Sequence, residues 1–361
     1  MATIDSLTVT PFVIPTAAPE SDGTLEWDAT TLVLVEAECG GVRGVGYTYA
    51  DTSTAVLIKD LLAPVVRGLC PMDVSATWMV MVRSVRNLGR AGIASMAIAA
   101  VDNALWDLKA RLLGVPLVTL LGAVRQEIPV YGSGGFTSYS IAELQRQLSD
   151  WVAEGVSRIK MKVGRSPADD AARVREARAA IGPAAELYVD ANGAYTPAQA
   201  LRLAARFAES NVSLFEEPVV ADDIDGLRLL RQRLPPGMRV AGGEYGYDLP
   251  YFRRLTDAGA VDVVQPDATR CAGTTGFMKV AALCEAANVP LAAHTAPSLH
   301  AHLCCAASAA TLIEYFFDHV RIERMLFDGW VEQRRGAIQP DLSRPGIGLE
   351  LKRADAARYA A

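Results

Sequence analysis

The sequence of 361 residues predicts an α/β protein: a (β/α)8 barrel bearing an α+β cap built from the N-terminal segment and the C-terminal tail. Three observations carry that expectation. From about residue 127, short β-like runs alternate eight times with helical segments, the order of a barrel. Ionisable residues recur at the ends of those runs at intervals of one βα unit. The first 120 residues follow a different pattern, of long alternating strands and one long helix. The expected organisation is a cap over 1–125, a barrel over 126–320 and a tail over 321–361 that completes the cap.

In the cap, "LTVTPFVIP" and "LVLVEAECGGVRGVGYTY" alternate as strands around a "GGVRG" turn. The stretch "AGIASMAIAAVDNALWDLKARLLG" reads as a helix apolar on one side, closed by Gly114 with Pro116 beyond. The barrel strands are "IPVYGSG", "RIKMKVG", "ELYVDAN", "VSLFEEP", "RVAGGE", "VDVVQPD", "VPLAAHT" and "TLIEYF". Ser166-Pro167 and Thr196-Pro197 each set a capping residue before a proline, which predicts helix starts there. The eighth helix is poorly marked. The turn-rich tail is expected to return to the N-terminal unit.

Composition excludes several functions. A net charge of −6 gives no electrostatic support for nucleic-acid binding. No apolar run reaches the roughly 18 residues of a membrane span. The N-terminus lacks a basic region followed by an apolar core, so no secretory signal is expected. Six cysteines fit neither a disulfide framework nor a CxxC metal site, and read as buried thiols of a reducing cytoplasm. Adjacent Cys304 and Cys305 sit in a small-residue helix.

Lys162, Asp190, Glu216, Glu244, Asp267, His294 and Glu314 fall at or near strand ends, separated by 28, 26, 28, 23, 27 and 20 residues. Strand C-termini converge on one barrel mouth. Any one of these residues alone reads as a charge facing water; seven in phase do not. Asp190, Glu216 and Glu244 would repel one another unless compensated. A hard divalent ion, Mg2+ ahead of Mn2+, suits an all-oxygen set. Glu217 is expected as a hydrogen-bonding neighbour. Lys160 and Lys162 share the inward face of "RIKMKVG", and beside a metal each should lose basicity, leaving one as a base and one as a holder of a substrate oxygen. Asp267 beside His294 should fix the imidazole tautomer. Glu314 reads as a neutral acid donating to an oxyanion, with a salt bridge to Lys160 as the alternative. His300, His302 and His319 receive no role.

These residues describe removal of the proton α to a carboxylate. The motifs "SMAIAAVDNALWDLKARLLGVPLVTLLGAVRQEIPVYGSGG", "KMK", "VDANGAY", "FEEPV", "GGE", "QPDATRCAGTTG", "AAHTAP" and "LIEYF" resemble the enolase superfamily, mandelate racemase subgroup, over nearly the whole chain. The resemblance implies Mg2+ on Asp190, Glu216 and Glu244. It implies Lys162 as one acid/base catalyst and His294 with Asp267 as the other. Lys160 and Glu314 are implied as stabilisers of the carboxylate and the enolate. Asp267 stands where the muconate-cycloisomerase, dipeptide-epimerase and succinylbenzoate-synthase branch has lysine, which argues against those activities.

The expected reaction is dehydration of an acid sugar to a 2-keto-3-deoxy acid, with racemisation or epimerisation of a 2-hydroxy acid as the alternative. A non-catalytic metal-binding barrel is the alternative of another class. A metallohydrolase is disfavoured because "VYGSG" carries no histidine. Segments 15–30 and 47–54 read as capping loops that set specificity, carrying Glu20, Asp22, Glu26 and Asp28 but no Lys or Arg. They favour a monoacid unless Arg270 points inward. Trp27, Tyr47 and Tyr49 are candidates to cover the substrate. The expected partner is a small carboxylate, with no nucleic acid or membrane, and the chain is expected to form a homo-oligomer.

Overall fold

The computed structural model describes residues 2–361. Three antiparallel strands open the chain: β1 (Ser6–Ser21), β2 (Glu26–Cys39) and β3 (Val42–Tyr49). Gly40 and Gly41, at φ 56° and 80°, join β2 to β3, supplying the positive φ that a two-residue hairpin turn needs. Segment 15–30, expected as a loop, is mostly strand. β1 and β2 pair out to Ser21 and Glu26, with an irregularity between Pro15 and Glu20. The hairpin closes because Asp22 Oδ1 accepts the amides of Thr24 and Leu25 at 2.6 and 2.7 Å.

The long helix, Ile93–Leu112, packs on this sheet and ends before Gly114 at φ 69°. A Cβ on Gly46 would stand 2.2 Å from Ala104 N and 2.4 Å from Ala100 O, so the helix and β3 approach closely only because both sides are small.

The barrel strands are β4 (Ile128–Gly134), β5 (Arg158–Lys162), β6 (Glu186–Asp190), β7 (Val212–Glu216), β8 (Arg239–Gly242), β9 (Val263–Val264), β10 (Leu291–Ala293) and β11 (Ala310–Phe316). They pair in chain order, all parallel, and β11 closes on β4. These are the eight expected strands. Thr196 caps the helix Pro197–Ala208 through a capping box with Gln199. Ser166-Pro167 instead makes a turn. The Ser166 carbonyl accepts the amides of Asp169 and Asp170, and the helix Asp170–Ile181 begins only there. The weakly marked eighth helix is Phe317–Leu326, so a boundary at 320 falls inside it.

Beneath the mouth, Tyr131, Tyr188, Leu214, Ala241, Val263 and Ala292 fill the barrel. The polar side chains above them therefore stand on an apolar floor, where unpaired charge is costly. The tail touches both units. Ala337–Ile338 pairs antiparallel with the start of β4, and Ala360 bridges to Phe12. Buried Asp107 ties cap to tail by accepting the amides of Val45 and Ile347 at 2.7 and 2.6 Å, and Arg111 Nε at 2.6 Å. All six cysteines are free thiols, and Cys304 and Cys305 lie in the helix Pro297–Ala306. Among the described residues no helix is long and apolar enough to cross a membrane.

Candidate active site

Strand register builds the site. Lys162 pairs with Asp190 between β5 and β6, and Asp190 with Glu216 between β6 and β7, so the three stand side by side at one level. Glu244 follows β8. One carboxylate oxygen each from Asp190, Glu216 and Glu244 lies within 4.8 Å of the others, and all three residues are buried.

Two ammonium groups reach into this cluster. Lys160 Nζ lies 2.5 Å from Glu216 Oε1, 2.8 Å from Glu314 Oε1 and 3.3 Å from Asp190 Oδ2. Lys162 Nζ lies 2.6 Å from Asp190 Oδ2. The expected loss of basicity depends on a bound metal; the carboxylates by themselves act in the opposite sense. Burial pulls each down, but Glu216 and Glu314 around Lys160, and Asp190 beside Lys162, outweigh it and hold both above the ordinary lysine value. Burial would raise Asp190, yet Lys162 and Lys160 pull it well below the usual carboxylate range. Glu216 goes the other way, raised by burial and by Asp190.

The donor set fits a divalent cation. Four buried carboxylates (Asp190, Glu216, Glu244 and Glu314) face Lys160, Lys162 and Arg270, so the acids outnumber the cations by one. Glu244 Oε2 is buried with no hydrogen-bond partner among the described residues. A divalent cation held by Asp190, Glu216 and Glu244 would add like charge beside the Lys162 ammonium and so would oppose that lysine's raised basicity.

Glu314 is not the neutral acid expected. Burial would raise it, but Lys160, His294 and Lys162 hold it at about 2. Its Oε1 also accepts from Ser133 Oγ at 2.5 Å. The salt-bridge alternative is therefore the one realised. Across the barrel, His294 Nδ1 is 2.8 Å from Asp267 Oδ2. His294 and Arg270 help to hold Asp267 well below the usual carboxylate range against its burial, so it accepts and His294 Nδ1–H donates. Nε2 is thereby aimed inward, 3.4 Å from Glu244 Oε2 and 3.7 Å from Glu314 Oε2.

Lys162, Glu244, Arg270, His294 and Glu314 line one cavity of about 330 Å³. Cap residues Trp27 and Tyr49 cover it. Tyr47 does not: it is buried behind, its hydroxyl donating to Glu323 at 2.6 Å. Glu217 lies outside the expected network. It is buried at φ 35° with Oε1 unpartnered among the described residues, and it lines a neighbouring cavity. Arg270 points inward, but its Nη1 is 3.2 Å from the Glu244 carbonyl oxygen and 3.5 Å from Glu244 Oε1.

Sequence reading missed Ser133 and His319. Ser133 lies 29 residues before Lys162, in phase with the other strand ends, and that spacing was the available signal. His319 sits in the helix after β11, which turns back over the mouth.

Glu20, buried at the cap edge, carries a pH test. Its Oε2 accepts Trp27 Nε1–H at 3.0 Å, while burial, with Asp318 adding, pushes it up to about 8. A carboxyl raised on folding contributes stability below its unfolded value near 4.5 and loses it as pH climbs through about 8. Glu20→Gln should therefore be more stable than wild type at pH 9 by about 1–3 kcal/mol, with the difference shrinking at pH 4. Urea midpoints at the two pH values check this.

Comparison with known proteins agrees with this geometry. The model of the mandelate racemase / muconate lactonizing enzyme N-terminal domain matches residues 8–122, and that of the enolase C-terminal domain-like family matches 143–356. A mandelate racemase/muconate lactonizing enzyme-like protein from Rubrobacter xylanophilus is 51% identical with a TM-score of 0.97, covering 99% of this chain and 100% of that one. The 3,6-anhydro-alpha-L-galactonate cycloisomerase of Streptomyces coelicolor is 33% identical over 83% of this chain and 84% of its own. The L-talarate/galactarate dehydratase of Salmonella typhimurium is 31% identical over 94% of this chain and 86% of its own. Its structure liganded with Mg and L-lyxarohydroxamate has a TM-score of 0.91, covering 100% of this chain and 93% of that one at 29% identity. With both of its units matched and a buried Asp/Glu/Glu triad at the barrel mouth, the chain belongs to the enolase superfamily, in its mandelate racemase/muconate lactonizing enzyme subgroup.

Proposed function

We propose that the protein dehydrates an acid sugar to a 2-keto-3-deoxy acid, using Mg2+ held by Asp190, Glu216 and Glu244. One observation carries the reading: Lys162 and the Asp267-bound His294 line the same cavity, on strand ends separated by β11 and β4. When bound, Mg2+ supplies the positive charge at the substrate carboxylate that makes an α C–H acidic enough to lose.

The chain's own residues do the rest. Neutral Lys162 Nζ takes the proton from the α-carbon, and the C–H electron pair enters the carboxylate to give an enediolate. Lys160, held cationic by its carboxylates, faces the negative charge that develops. His294, protonated at Nε2 and steadied at Nδ1 by Asp267, gives its proton to the departing β-hydroxyl. The C–O bond breaks, water leaves, and the resulting enol tautomerises to the 2-keto acid. The apolar floor and the cap residues Trp27 and Tyr49 bound the space in which the enediolate would form. The named relatives include a dehydratase and a cycloisomerase, and acids with one and with two carboxylates.

Incubation with Mg2+ and a panel of sugar acids, with semicarbazide to trap keto acid, tests the reading. Keto acid from at least one acid supports it. Change of optical rotation without keto acid marks racemisation instead, and a chain that binds Mg2+ yet neither exchanges an α-hydrogen nor forms product is the non-catalytic barrel.

A further inference from the structure

The cavity is walled on one side by the triad and on another by the cap and the helix after β11. Among the described residues, fourteen buried side chains carry a polar atom without a partner. Six of them line this one cavity: Tyr49, Asn192, Glu244, Arg270, Glu314 and His319. Clustering of that kind marks a polar cavity whose walls offer hydrogen bonds to whatever occupies it, since buried polar groups are otherwise satisfied. Glu244, Arg270 and Glu314 belong to the reacting end. Tyr49 comes from the cap and His319 from the helix after β11, where it also faces His294 and Glu314.

These two rings form a single unit on the cap side. They stack with centroids 3.4 Å apart at an interplanar angle of 15°, and Phe316 closes on His319 edge-on at 5.1 Å. The Tyr49 hydroxyl and His319 Nδ1 both lack partners. Burial, with His294 adding, keeps the imidazole well below its ordinary basicity, so the unit is neutral. Leu25 and Trp27 extend it as an apolar surface, the Trp27 indole N–H being already given to Glu20.

Charge completes the picture. Apart from the Tyr49 phenol, the ionisable side chains that the cap contributes to the cavity are Asp22 and Asp51, both acids. The cations that line it, Lys162 and Arg270, stand against Asp190, Glu244 and Asp267 at the reacting end. Arg321 and Arg165, which reach the cap hairpin, are paired with Asp318 and Glu26. A second carboxylate at the far end would therefore meet acids and aromatic faces with no free cation.

We infer that the cavity takes monocarboxylic sugar acids, and that Tyr49 and His319 bind the uncharged hydroxylated tail of the substrate. This rests on the proposed enolising site and adds its specificity. Tyr49 and His319 touch the substrate away from the reacting carbon, so their loss should act on binding rather than on the chemical step.

Calorimetric binding to the Mg2+-loaded full-length chain tests it. Matched aldonate and aldarate pairs of the galacto, gluco and manno configurations serve as probes. The aldonate of at least one pair should bind tenfold or more tighter than its aldarate. Tyr49→Phe, which keeps the stack, should weaken that aldonate about tenfold, and for a converted substrate should raise KM with kcat nearly unchanged. His319→Arg should narrow or invert the aldonate preference by adding a cation at the far end. Aldarates bound as tightly as aldonates, no measurable binding of any aldonate, or an unaltered aldonate affinity in Tyr49→Phe would overturn the inference. Aldonates that bind as described but yield no keto acid would leave it standing and count only against dehydration.

Discussion

Lys162→Met should lower kcat by about 10³–10⁴-fold while leaving Mg2+ binding measurable. The size follows from the role. Lys162 Nζ is the group assigned to take the proton from carbon, and methionine fills the same space without a basic atom. The barrel should tolerate it, because Lys162 pairs with Asp190 alone and a bound cation would satisfy that carboxylate. His294 remains, so exchange of an α-hydrogen presented to the His294 side should persist where exchange on the Lys162 side disappears. Proton NMR in D2O with two epimeric acids separates the two faces. Equal loss on both faces would mean that Lys162 holds substrate rather than moving its proton.

Removing the metal should have an effect at least as large. Chelation with EDTA should abolish turnover, and Glu216→Gln should lower it by at least about 10³-fold, because several kcal/mol of charge stabilisation at the enediolate are lost. Glu216 is the best place to cut. It accepts from Lys160 at Oε1 and from Gln265 Nε2 at Oε2, 2.7 Å away, so its amide would also unsettle the cation that faces the developing charge. A binding-specific readout accompanies activity. Mg2+ at about 100 times its Kd should stabilise wild type by about 2.7 kcal/mol, seen as a rise of several degrees in Tm, and should not do so in Glu216→Gln.

Much of this architecture could be read from sequence because a barrel repeats. Each βα unit brings the chain back to the mouth after 20 to 28 residues, so the strand-end acids, the lysine and the histidine showed themselves by phase. Local chemistry was equally plain at Thr196, where hydroxyl, proline and Gln199 stand in the order that a helix start demands. What failed depended on contacts remote in sequence. The ionisation of Glu314 is decided by Lys160, 154 residues earlier and two strands away. The hairpin at 15–30 looked like a loop because its prolines and acids hide the pairing that Asp22 closes. Tyr47 and Tyr49 share a face of β3, so alternation could not tell the one that reaches Glu323 from the one that covers the cavity. His319 had no phase to betray it, since it lies in a helix rather than at a strand end.

The central claim is that one cavity holds a metal-bound carboxylate between two bases able to reach its α-carbon. Deuterium incorporation at that carbon, followed by NMR with Mg2+ present, measures it most directly. The account predicts incorporation at the α-position of a bound sugar acid, lost with EDTA and lost in the Lys162→Met/His294→Asn double variant. Incorporation that survives both treatments, or none from any sugar acid that binds the Mg2+-loaded protein, would contradict it.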